Sequence, residues 1–143
     1  MTDSPSKPFS SVLSQVPANL PPYERLAQMQ KLAMAEGWRW PDISGPLAKT
    51  DEELAEVKAA LANGNRKDIT DELGDLLFMA TLLCHYAEVD PAAALASVTA
   101  KFTARFGFVE RKAAETGRRL YEVPHAEERA WYAACKAQEK QAG

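Results

Sequence analysis

The segment from about Asp68 to Ala87 constrains this chain more than any other. Its first turns carry Asp68, Asp71, Glu72 and Asp75, and it then runs Leu76-Leu77-Phe78-Met79-Ala80-Thr81-Leu82-Leu83-Cys84. Leu and Ala dominate the whole sequence, β-branched residues are sparse, and Gly and Pro sit mostly at segment edges, which predicts a helical protein. A helix that is apolar nearly all round has to be covered by neighbours, so this one is expected to be central and buried. Its acidic face runs straight into that apolar stretch, because Asp75 shares a stripe with Phe78, Met79 and Leu82. A carboxylate in such a position needs a cation, since burying an unpaired charge is expensive.

The remaining elements follow from punctuation. Residues 1–22 hold five of the nine prolines, with Ser and Thr between them, and read as a flexible tail with no core of its own. A first helix is expected from about Tyr23 to Glu36, with Gly37 as its stop. Trp38-Arg39-Trp40-Pro41-Asp42 forms a loop, and Ser44-Gly45-Pro46 starts a second helix with Pro46 near its first position. That helix runs to about Ala62, where Asn63-Gly64-Asn65 ends it. Asp90-Pro91 opens a fourth helix that passes Phe102, Phe106 and Val109 and stops at Gly117. A shorter fifth helix covers about Ala126 to Gln138. The expected fold is an all-α antiparallel bundle of four core helices plus a C-terminal helix, divided into a tail (1–22), a helical domain (23–117) and a C-terminal extension (118–143). A chain of 143 residues fits one domain with a real core.

Composition excludes several function classes. A net charge of −3 and a pI near 5.4 leave no electrostatic footprint for nucleic acid, so any phosphate ligand requires a local basic site or a metal. Cys84 and Cys135 are far apart and fit no metal or redox spacing. The N-terminus is polar and lacks the apolar core of a signal peptide, and the run Leu76–Cys84 is too short to span a bilayer. The reducing cytoplasm is the expected compartment.

A second acidic cluster, Glu52-Glu53-Leu54-Ala55-Glu56, lies on the second helix. Carboxylates three or four residues apart repel by about 0.2–0.5 kcal/mol per pair on a helix. The ordinary alternatives are a solvated acidic face, a capping box formed by Thr50 and Glu53, and, for Asp68, Asp71 and Glu72, attraction to the positive end of the helix dipole. The loop between the helices is short, so they are antiparallel neighbours. Glu56 stands eight residues before Gly64 and Glu72 eight after it, which brings the clusters to similar heights. A shared site with Glu53, Glu56, Glu72 and Asp75 as oxygen ligands follows, suited to Mg²⁺ or Mn²⁺. A di-iron site needs Glu-x-x-His, and the third position on is Glu56 or Asp75 instead. His85 and His125 (the latter expected in a loop) read as ordinary histidines.

Lys101 and Arg105 share a face of the fourth helix. By themselves they are solvated cations; beside an acidic metal site they form a phosphate grip, with Arg able to bind bidentately. Lys49 stands one turn before Glu53, as an i,i+4 partner or a further phosphate ligand. Trp38 and Trp40 are either packing anchors or stacking surfaces for a base.

These residues resemble the MazG-like nucleotide pyrophosphohydrolases of the all-α type, whose signature is Glu-Glu-x-x-Glu followed after a gap by Glu-x-x-Asp. Here it reads Glu52-Glu53-Leu54-Ala55-Glu56 and Glu72-Leu73-Gly74-Asp75. Trp40-Pro41-Asp42, Leu47-Ala48-Lys49, Gly74-Asp75-Leu76-Leu77-Phe78, Val89-Asp90-Pro91 and Lys101-Phe102-x-x-Arg105-Phe106 match as well, over roughly residues 23–116. The matching text occurs once, where longer members carry a second such domain. The resemblance implies Mg²⁺-dependent hydrolysis of nucleoside triphosphates to monophosphate and pyrophosphate. It implies Glu53, Glu56, Glu72 and Asp75 as metal ligands, and Lys49, Lys101 and Arg105 as phosphate-side residues. Trp40 is read as a substrate contact, and Glu53 or Glu52 as acceptor of the water proton. Thr99 departs from the pattern, since members often carry Asn there, and Thr reaches less far. The resemblance also implies a homodimer or higher homo-oligomer, in keeping with the apolar third helix. Two rivals stand beside this expectation: a non-catalytic helical nucleotide- or protein-binding module, and a narrower pyrophosphohydrolase acting on a deoxynucleotide, a damaged nucleotide or phosphoribosyl-ATP.

Overall fold

The computed structural model describes residues 6–143, so the first five residues of the expected tail lie outside it. Its elements are a 3₁₀ turn at Val12–Gln15, α1 (Pro22–Ala35), α2 (Ser44–Asn63), α3 (Arg66–Tyr86), α4 (Pro91–Glu115), a second 3₁₀ turn at Leu120–Glu122, and α5 (His125–Ala142). Among the described residues no strand forms, and the chain is all-α as its composition requires. It divides into two compact units, one ending at Ala92 and the other beginning at Ala93.

In the first unit, α2 and α3 pack antiparallel along their length, and α1 packs on α3. The connection is short because Gly64 takes the left-handed conformation (φ 74°), which closes α2. Asn65 then caps α3, its Oδ1 accepting the N–H of Lys67 (3.0 Å) and of Asp68 (3.2 Å). The cap moves the start of α3 back to Arg66, ahead of the expected Asp68. Val57, Ala60, Met79 and Leu82 form the core of the pair. Gln30 of α1 is buried, and its Nε2 donates to the Phe78 carbonyl (2.9 Å), tying α1 to α3. Asp90 caps α4 as expected, its Oδ1 accepting the Ala92 N–H (3.2 Å).

Several expectations need correction. α3 is not buried all round: it buries Met79, Thr81 and Leu82, while Leu73 is 43% and Leu77 63% exposed. The Pro-rich stretch is not wholly without core contacts, since Val16 is buried and its 3₁₀ turn packs on α1. α2 begins at Ser44, so Thr50 is no cap; its hydroxyl donates to the Pro46 carbonyl (2.7 Å). In the second unit α5 reaches Ala142 rather than Gln138, and His125 opens it instead of lying in a loop. Val109, Ala113, Val123 and Cys135 form that unit's core.

Candidate functional site

Helix phase carries the two acidic clusters to one face of the α2–α3 pair. Glu53 and Asp75 are equidistant from Gly64 along the chain, as are Glu56 and Glu72. Antiparallel packing therefore sets Glu53 level with Asp75 and Glu56 level with Glu72. One carboxylate oxygen from each of Glu53, Glu72 and Asp75 lies within 4.8 Å of the others. Glu53 is only 7% exposed, Glu72 is half-buried and Asp75 is exposed, so the group opens from the core to solvent. Glu56 stands outside this trio but close enough to act on it. The Glu72 carboxyl is held above the usual carboxylate range, first by desolvation and then by the charges of Glu56, Asp75, Glu53 and Asp68. Oxygen donors gathered against their own repulsion are what a hard cation requires, and the trio can hold a metal ion.

Lys49 is the cation the structure sets against this group. Its Nζ lies 3.0 Å from Glu53 and 3.2 Å from Glu52, and these bonds raise its pKa, the one to Glu53 most. Glu52 is not one of the trio, and its side chain is 67% exposed. Trp40 is wedged against Gly45, where a Cβ would collide with its ring, and its backbone N–H donates to the Tyr86 hydroxyl (2.7 Å). Trp38 is the more exposed of the two; its ring meets Trp40 at 6.3 Å and stands edge-on to Phe78 at 6.3 Å. His85 lies outside the trio, with its Nε2 buried and unpartnered, and His125 bonds Glu128 (2.7 Å).

The basic residues lie in the second unit. Lys101 is exposed, whereas Arg105 is bonded by its Nε and Nη2 to Glu139 of α5 and sits 5.7 Å over the Tyr132 ring. Thr99 donates its hydroxyl to the Leu95 carbonyl (2.9 Å). Glu139 is a partner that sequence reasoning missed. Its signal was the stripe Tyr132, Cys135, Glu139 on α5, which a helix ending at Gln138 cuts off.

Comparison with known proteins gives the chain a family. The model of the phosphoribosyl-ATP pyrophosphohydrolase family matches residues 23–102, more than half of the chain. The chain belongs to this family. Within the MazG-like superfamily that includes it, a Thermotoga maritima protein named nucleoside triphosphate pyrophosphohydrolase/pyrophosphatase MazG is 33% identical over 118 residues, 82% of this chain and 45% of that protein. An Escherichia coli K12 protein named nucleoside triphosphate pyrophosphohydrolase is 32% identical over 109 residues, 75% of this chain and 41% of that protein. The chain thus spans less than half the length of the curated relatives it matches. The family match contains the whole acidic trio and Lys101, and stops short of Arg105.

Proposed function

We propose that this chain is a Mg²⁺-dependent nucleoside triphosphate pyrophosphohydrolase that releases a monophosphate and pyrophosphate. The observation that carries this is the convergence of Glu53, Glu72 and Asp75 in a member of a pyrophosphohydrolase family. Bound by these residues, with Glu56 beside Glu72, Mg²⁺ (or Mn²⁺) supplies Lewis-acid polarisation of phosphoryl oxygens and a more acidic water. A water oxygen bonds to the α-phosphorus, the bond from that phosphorus to the β-bridging oxygen breaks, and pyrophosphate leaves. Glu53 is the better placed acceptor for the water proton, because it is buried within the trio while Glu52 is solvated. Lys49 orients Glu53, and in this reading Lys101 and Arg105 neutralise charge on the leaving pyrophosphate. Trp40, braced on Gly45, shapes the loop that presents Trp38 for stacking.

The narrower alternative, a phosphoribosyl-linked ATP, is favoured by the family's own description. Homo-oligomerisation belongs to the same proposal: Leu54, Leu61, Leu73 and Leu77 are exposed on α2 and α3, and a second copy would cover them. Among the described residues no helix is long and apolar enough to cross a membrane, and a nucleotide substrate points to the cytoplasm. A panel of ribo- and deoxynucleoside triphosphates and phosphoribosyl-ATP, with and without Mg²⁺, tests the proposal. Pyrophosphate release only with the ion is expected; no turnover of any substrate would leave the binding module as the better reading.

A further inference from the structure

In the first unit a cavity of about 310 Å³ lies where α1, the Trp38 loop and α3 meet. Leu26 and Met29 of α1, Trp38, Phe78 of α3 and Leu13 of the N-terminal 3₁₀ turn give it apolar walls. Gln30 lines it too and is only 1% exposed. The Gln30 amide has one possible orientation. The Phe78 carbonyl can only accept, so the arm that meets it at 2.9 Å is the Nε2 donor and the other arm is Oε1. Oε1 is shielded from solvent and has no partner among the described residues. A buried acceptor left without a donor is costly, and here a bound molecule can supply the donor.

The volume is at the small end for ligand sites and suits one ring system rather than a whole nucleotide. Trp38 stands edge-on to Phe78 and is exposed, so its face is available to a planar ring. Phe78 follows Asp75 by three residues on α3, which sets this wall of the cavity one helical turn from the carboxylate trio. What Oε1 asks of a ring is an N–H donor. Adenine and cytosine offer theirs as an amino group. Uracil, thymine and hypoxanthine offer theirs beside a carbonyl, which apolar walls would strip of water.

We propose that this cavity takes the base of the nucleotide and that Gln30 Oε1 accepts a hydrogen bond from the amino group of that base, so that the site prefers adenine or cytosine to bases with a carbonyl in its place. This rests on the pyrophosphohydrolase reading and names the base it acts on. Leu13 lies ahead of the family match, so one wall of the site is set outside the matched segment.

The test uses the full chain without metal and reads nucleoside binding by calorimetry. Adenosine is expected to bind roughly tenfold more tightly than purine riboside, which lacks only the amino group, and than inosine, which carries a carbonyl there; one hydrogen bond to a buried acceptor is a difference of this size. Gln30→Met keeps the side-chain length and removes the acceptor, and is expected to bind adenosine and purine riboside alike. Because Gln30 also ties α1 to α3, a second variant accompanies it. Leu13 is half-buried, and Leu13→Trp is expected to fill the cavity and abolish adenosine binding with the melting temperature kept. Equal wild-type affinity for adenosine and purine riboside, unchanged adenosine affinity in Leu13→Trp, or no adenosine binding up to millimolar concentration would overturn the proposal. A nucleoside has no phosphate to cleave. Preference for adenosine without turnover of any triphosphate would therefore sink the pyrophosphohydrolase reading and leave the cavity assignment standing, and turnover without that preference would do the reverse.

Discussion

At the scale of single residues, the proposed chemistry rests on three carboxylates that are not equivalent. Glu72→Gln and Asp75→Asn each remove a ligand charge without changing shape, and each is expected to lower kcat/KM by roughly a hundredfold or more with helix content retained by circular dichroism. Glu52→Gln should cost far less, because Glu52 lies in solvent and meets only Lys49. Acidity gives a second outcome. Glu72 holds its proton more tightly in the folded chain than an exposed Glu does. Its contribution to stability is therefore full below the ordinary Glu range and is lost as pH rises through its raised pKa. Ion-free Glu72→Gln should then melt above ion-free wild type at neutral pH, with the difference closing on acidification; thermal scans across pH check this. The acidic set was legible in the sequence from spacing alone. Its division into a trio and an outlying Glu56 was not, because that depends on how α2 is rotated against α3. The Arg105–Glu139 bond was hidden for another reason: the partners are far apart in sequence, and no local period links them.

The α2–α3 hairpin is the element that converts two local motifs into one site. Gly64 is open to a Cβ on every side, so Gly64→Ala meets no clash and its cost is conformational, about 1 kcal/mol for a left-handed residue. Asn65→Ala removes the cap of α3 and should also cost about 1 kcal/mol. Denaturant unfolding measures both. Since the turn sets the register of Glu53 with Asp75, Gly64→Ala is also expected to weaken metal affinity, read by calorimetry with Mg²⁺. Helix identities and most stops were legible, because Gly37, Gly64 and Gly117 all take positive φ where a helix ends. The 3₁₀ turn at Val12–Gln15 was not, as a Pro-rich composition outweighed the packing of Val16.

At the scale of the whole molecule, the chain holds its acidic trio in one unit and its Arg105–Glu139 pair in the other. The all-α class was legible from Leu, Ala and the helical periods, whereas the covering of α3 was not. Leu73 and Leu77 remain exposed on a helix the sequence made apolar all round. Under the proposed oligomer, Leu77→Glu should convert the assembly to monomer, as measured by light scattering at fixed concentration, and leave helix content unchanged. In the proposed reaction the chain directs water to the α-phosphorus of a nucleoside triphosphate through its carboxylate trio. Hydrolysis in oxygen-18-labelled water with Mg²⁺, followed by mass spectrometry of the products, tests it most directly. The expected result is label in the nucleoside monophosphate, unlabelled pyrophosphate, and no such labelling with Asp75→Asn. Label in pyrophosphate, or release of orthophosphate and a nucleoside diphosphate, would contradict it.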